Sequence, residues 1–295
     1  MKFVEEGRVA VDRRVPRGVW WNCEDVEPDD PGEQASDLQR KAEGGRMPEE
    51  TLRAENWEAE RVSLGRHFLR DMEALWEHLL HLAAIVEVAL GTSVRAFCDG
   101  RADLAGEVLG GEGMIDRWEV QIERECLRIL ALHQPVASDL RRVAAALRIN
   151  GDLERMADLA SHIANRARKL AGKSDLAPIP PDLEQMARET LAQVHDALTA
   201  LANCDVPLAH AVIVADRGID RFRSSVLKQL KQAIRRDPEH LNMWLRLINT
   251  ARNLERVADH ATNIAESVVY LKEGDIIRHV ARTARSLREL RDEES

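Results

Sequence analysis

The segment 152–165, Asp-Leu-Glu-Arg-Met-Ala-Asp-Leu-Ala-Ser-His-Ile-Ala-Asn, returns 101 positions later, at 253–266, as Asn-Leu-Glu-Arg-Val-Ala-Asp-His-Ala-Thr-Asn-Ile-Ala-Glu. Around the first copy, apolar residues fall at Ile149, Leu153, Met156, Ala160, Ile163, Ala167 and Leu170, in alternating steps of four and three. The second copy keeps Leu254, Val257, Ala261, Ile264, Val268 and Leu271 at equivalent places. That period marks a helix with a narrow apolar seam, the pattern required by antiparallel bundle packing. The repetition reaches further upstream: Ile115-Asp116 aligns with Ile219-Asp220 at an offset of 104, together with Glu112/Asp216, Trp118/Phe222 and Val108/Val212. The chain is therefore built twice from one helical unit.

Turn signals divide the periodic part into six helices, at about 63–98, 103–131, 138–171, 181–204, 207–235 and 239–272. The breaks are Asp99-Gly100, His133-Gln134-Pro135, Pro178-Ile179-Pro180-Pro181, Cys204-Asp205-Val206-Pro207 and Asp237-Pro238, all poor in helix formers. The expected fold class is all-α: two tandem three-helix bundles, residues 61–171 and 181–279, joined at a proline-rich hinge. Residues 1–60 read as an acidic, disordered extension and residues 280–295 as a charged tail. Within the extension, Trp20 and Trp21 suggest a docking point for a partner. The alternative is an over-long translation start, with Met47 as the natural beginning.

Composition narrows the setting. Four scattered cysteines, Cys23, Cys98, Cys126 and Cys204, form no C-x-x-C, which points to a reducing cytoplasm. No apolar stretch is read as a membrane span, and no secretion signal precedes the helices. The formal charge is −9, yet residues 1–60 hold 16 acids and 9 bases, so the remainder is close to neutral. That balance argues against nucleic acid as a partner.

Each repeat carries two pairs of acids spaced four apart: Glu112/Asp116 with Glu154/Asp158, then Asp216/Asp220 with Glu255/Asp259. Like charges at this spacing repel on a helix, and most such pairs, Glu119/Glu123 among them, read as solvated. The four singled out share a level. In an antiparallel hairpin, residues equidistant from the turn lie side by side. Asp116/Glu154 and Glu112/Asp158 both centre on residue 135, while Asp220/Glu255 and Asp216/Asp259 both centre between 237 and 238. Helix axes about 8–10 Å apart let carboxylates from both sides reach one ion at about 2.0–2.6 Å. The expected metal ligands are therefore Glu112, Asp116, Glu154 and Asp158 in one repeat, and Asp216, Asp220, Glu255 and Asp259 in the other. An all-carboxylate donor set suits Mg²⁺, Mn²⁺, Ca²⁺ or iron, and zinc accepts carboxylates too. His162 and Asn263, one turn beyond the last acids, are candidate extra ligands.

These residues resemble the PhoU family of regulators associated with phosphate uptake, over about residues 62–279. The likeness rests on Leu-Glu-Arg-Met-Ala-Asp and Leu-Glu-Arg-Val-Ala-Asp, the upstream acid pairs, the turn Gln134-Pro135-Val136-Ala137-Ser138-Asp139-Leu140-Arg141, and Ala265-Glu266-Ser267-Val268. The resemblance implies two three-helix bundles with multinuclear iron or zinc clusters on the same eight acids. It also implies a homodimer that represses the phosphate-starvation response, linking the ATPase subunit of the phosphate ABC transporter to a membrane sensor histidine kinase. The acidic extension and the tail after His279 depart from the family pattern.

Two enzyme readings compete with a non-catalytic adaptor. A carboxylate-bridged iron-binding oxidase usually takes a Glu-x-x-His pair, which this sequence lacks. A metal-dependent phosphohydrolase has clustered ions to activate water, but no Gly-rich phosphate loop or nucleophile setting supports it. Arg155 and Arg256, each following a motif glutamate, are read as ion pairs on their own helix surface, with contact to an acidic partner or a phosphate as the alternative.

Overall fold

A computed structural model describes residues 49–171 and 179–274, with side chains from residue 66 onward. The described residues form six helices: α1 (Glu49–Cys98), α2 (Ala102–His133), α3 (Ala137–Leu170), α4 (Pro181–Asn203), α5 (Val206–Arg236) and α6 (Leu241–Glu273). The all-α fold of two three-helix bundles, α1–α3 and α4–α6, is as the repeat pattern requires. The tail 280–295 and most of the extension lie outside the described residues.

One boundary differs. Helix α1 begins at Glu49, not near residue 63. Residues 49–62 carry five Glu, two Arg and two Ala, and these extend a helix by intrinsic preference even where no apolar stripe marks it. Pro48 stands immediately before, a residue tolerated only at a helix start.

A second expectation also changes: Arg66–Cys98 is long and apolar enough by composition to cross a membrane. Its apolar residues serve as core, however. Leu75, Leu79, Leu82 and Val86 are completely buried, and Asp71, His78 and His81 of the same helix are tied to α2. Asp71 meets His133 and Arg128 at 3.3 and 3.4 Å. His78 Nδ1 donates to Glu125 at 2.9 Å, and Trp118 packs against both His78 and His81.

The two motif helices form the centre. Helix α3 packs on α2 and α6, while α6 packs on α3, α4 and α5. Their seam is antiparallel: Arg148 lies over the Tyr270 ring at 5.1 Å, and further along α3, Asp152 meets His260 and Asn263. Ile149, Leu153, Met156, Ala160 and Ile163 on α3 are fully buried, as are Val257, Ala261, Ile264 and Val268 on α6. The period of four and three is thus the core itself.

The turns follow from their residues. Gly100 and Gly274 take positive φ of 65° and 81° after α1 and α6, where glycine carries no Cβ penalty. Asp205 caps α5 by accepting from the Leu208 backbone at 2.9 Å, with Pro207 in the first turn, where a proline lacks no needed donor.

Candidate functional site

The acids lie on the hairpins α2–α3 and α5–α6, and in the second repeat all four influence one another electrostatically. Asp216 is half-buried, and its carboxyl is pushed above the usual range by burial, then by Asp259 and Asp220. Glu255 is raised by burial and by Asp259, Asp220 and Asp216, against the lowering effect of Arg223. Each of these carboxylates thus raises its neighbours, as like charges in a partly desolvated place do. Neutral donors support the cluster from a third helix. Gln193 on α4, only 4% exposed, directs Nε2 to the Val212 carbonyl at 3.4 Å, Asp216 at 3.5 Å and the Thr262 hydroxyl at 3.1 Å.

The first repeat is more open. Glu112, Asp116 and Asp158 are exposed, and only Glu154 is partly buried. Glu154 is raised by burial, by Asp158 and by Glu119, with Arg155 opposing. Glu119 is itself raised by burial, Glu123 and Asp116. Glu119 is therefore not a plain solvated residue. It links the α2 acids to Glu154, and its backbone carbonyl accepts from Asn150 on α3 at 3.0 Å. Position 89, the counterpart of Gln193 at the offset of 104, is an alanine, so this repeat has no equivalent amide.

Cations meet these acids in two ways. Arg155 sits on the same helix face, 3.2 Å from Glu154 and 3.5 Å from Asp158, the intrahelical pairing read from the sequence. In the second repeat the partner comes from across the hairpin, with Arg223 Nε on α5 at 2.9 Å from Glu255. The Nε–H finds no well-directed hydrogen bond there, so the contact is held by charge.

The extra ligand candidates diverge. His162 is exposed. Asn263 donates its amide to Asp152 at 3.1 Å across the α3–α6 seam, so that nitrogen serves packing between repeats. Among the described residues, no three His, Cys, Asp or Glu side chains are drawn onto a single ligating point. The chemistry of the donor set nevertheless fits a hard cation: clustered, partly desolvated carboxylates whose charges oppose one another are relieved by a divalent ion. Sequence reasoning missed Glu119, Gln193, Thr262 and Arg223. Aligning the repeats would have exposed two of these, since Glu119 and Arg223 occupy the same position at the offset of 104.

The PhoU domain model matches residues 79–167 and 183–268, once per repeat. The chain is 34% identical over 220 residues to the phosphate-specific transport system accessory protein PhoU homolog of Pseudomonas aeruginosa, covering 75% of this chain and 91% of that protein. The corresponding protein of Deinococcus radiodurans is 36% identical over 200 residues, 68% of this chain and 93% of its own length. Among solved structures, PhoU from Pseudomonas aeruginosa superposes with a TM-score of 0.69 at 35% identity, over 70% of this chain and 100% of that one. The phosphate transport system regulatory protein PhoU from Streptococcus pneumoniae gives 0.65 at 28% identity, over 71% and 98%. The fold and the paired acids thus define a duplicated helical regulator, and this chain belongs to the PhoU family. It is an accessory regulatory protein and not an enzyme.

Proposed function

We propose that this chain is a cytoplasmic, metal-bearing regulator of phosphate uptake. In this reading it represses the phosphate-starvation response as a homodimer, coupling the ATPase subunit of the phosphate ABC transporter to a membrane sensor histidine kinase. The names of its relatives, accessory proteins of phosphate-specific transport, support the phosphate role. The single observation that supports the metal is the mutual electrostatic influence of Asp216, Asp220, Glu255 and Asp259 on the α5–α6 hairpin, with Asp216 and Glu255 raised by burial and by these neighbours.

The residues that would hold metal are those four and, in the first repeat, Glu112, Asp116, Glu154 and Asp158. A bound iron, zinc, magnesium or manganese ion would supply positive charge between the helices of each hairpin. The protein's own part is to keep the carboxylates at one level, with α2–α3 and α5–α6 in register and Gln193 and Thr262 fixing Asp216. Such a device stiffens each hairpin and changes its surface charge, both of which a partner protein can read.

Two measurements test the reading. Metal is quantified on protein purified without a metal-affinity tag, beside Glu154→Gln/Asp158→Asn and Glu255→Gln/Asp259→Asn. Each double variant is expected to lose the metal of its own repeat, and unchanged stoichiometry removes the acids from the ligand set. Separately, the chain is used as bait in phosphate-replete lysate. Enrichment of the transporter ATPase subunit and the kinase is expected, and the absence of both overturns the adaptor role.

A further inference from the structure

Superposing the repeats by sequence brings Glu119 onto Arg223 and Glu154 onto Glu255, at offsets of 104 and 101. The same corner of the carboxylate cluster therefore holds an additional acid in one repeat and a base in the other. We propose that the two clusters are unequal, with Arg223 acting as a resident counter-cation that makes the second repeat the weaker, more readily emptied metal site. In the first repeat, Glu119 instead adds a carboxylate and makes the tighter site. This inference rests on the reading of the motif acids as cation ligands.

The geometry separates the two corners. Arg223 Nε stands 2.9 Å from Glu255 Oε2, on a pair whose side chains are 33% and 24% exposed. An incoming divalent cation must compete with that guanidinium for the same oxygen, and suffers its repulsion at short range in a half-desolvated place. Arg155 in the first repeat is different in kind. It is 60% exposed, lies along its own helix at 3.2 and 3.5 Å, and can swing into water at little cost. The second cluster is also already served by neutral donors, Gln193 and Thr262. Those donors, like Arg223, already occupy part of the acceptor capacity that a metal would otherwise take up.

The test uses the full chain and Mn²⁺ as probe, with binding followed by equilibrium dialysis and elemental analysis. In the Glu154→Gln/Asp158→Asn background only the second repeat binds, and adding Arg223→Gln is expected to raise its Mn²⁺ affinity about tenfold or more. Arg223→Lys, which keeps the charge, is expected to leave it low. In the Glu255→Gln/Asp259→Asn background, Glu119→Arg is expected to weaken the first repeat by a similar factor. Circular dichroism and the melting temperature confirm that each variant is folded. Affinity unchanged within twofold by Arg223→Gln, or a second repeat that binds more tightly than the first, overturns the proposal while leaving the ligand assignment intact. Failure of the wild-type chain to bind Mn²⁺, Zn²⁺ or Fe²⁺ at all overturns the ligand assignment, and the inequality with it.

Discussion

His260 Nδ1 donates to Asp152 Oδ1 at 2.8 Å, a hydrogen bond that joins one motif helix to the other. Asn263 donates to the same oxygen at 3.1 Å. The pair is well shielded, with side chains 18% and 11% exposed. Asp152 lies two residues before Glu154, and His260 follows Asp259 directly, so the bond between repeats sits beside both sets of acids. Asp152→Ala is expected to cost about 2 kcal/mol, the usual loss for hydrogen bonds to a charged, shielded acceptor. Urea denaturation should show it as a lower midpoint. A double-mutant cycle with His260→Ala should return a coupling energy above about 0.5 kcal/mol, and strict additivity would show that the bond does not contribute.

Packing along the same seam gives a larger effect. Ile264 is completely buried on α6, so Ile264→Ala is expected to destabilise by about 2–5 kcal/mol through lost burial and a residual cavity. Val214→Ser on the exposed side of α5, where Val214 is 67% exposed, should stay within about 0.5 kcal/mol of wild type. Similar losses in both variants would contradict the assignment of these faces.

Gly274 ends α6 with φ of 81°, and a Cβ built there would meet only the Arg141 guanidinium, at ordinary contact distances of 3.7 Å and beyond. Gly274→Ala is therefore expected to cost about 1 kcal/mol from backbone conformation alone. A thermal melt of the two proteins measures this directly. A loss of several kcal/mol would show that space, not φ, is limiting.

Acidity should act on the metal-free protein in an uncommon direction. Asp216 has a carboxyl raised above its unfolded value, by burial and by Asp259 and Asp220. The folded state therefore holds a proton more tightly than the unfolded chain. Its contribution to stability is complete below the ordinary carboxylate range and is lost as pH rises through the folded value. With chelator present, the melting temperature of Asp216→Asn minus that of wild type should grow as pH is raised from about 4 to 7. A difference that stays flat would mean that Asp216 is not crowded by its neighbours.

Cys126 is completely buried on α2, and burial, followed by Glu125, pushes its thiol up to about 12. Since the thiolate is the reactive form, Cys126 is expected to resist alkylation at pH 8 in the native protein and to label only on unfolding. Peptide mapping after a timed pulse of reagent reads this out. Rapid native labelling would place Cys126 outside the core.

Much of this architecture is legible from residue order because the repeat writes the same stripe twice. Residues Leu153 to Leu170 and Leu254 to Leu271 announce helices, seam and hairpin level together. The acid pairs could be assigned to one height because a turn in an antiparallel hairpin fixes which residues are neighbours. Glu119 was not separable from a solvated acid by spacing, since its significance comes from Glu154 on another helix. Arg223 likewise acquires meaning only opposite Glu255. The start of α1 at Glu49 escaped because residues 49–62 form helix by propensity, without a periodic apolar face. The bond between Asp152 and His260 joins the two repeats to each other, and no pattern inside either repeat specifies it.

The antiparallel docking of α3 on α6 has a consequence for how this molecule can be divided. Each repeat presents the buried stripe of its motif helix to its twin, so neither half owns a finished interior. Severed from one another, the halves would bare matching greasy stripes and find each other again or clump. A single polypeptide removes that hazard and lets the two corners differ, one basic at Arg223 and the other acidic at Glu119.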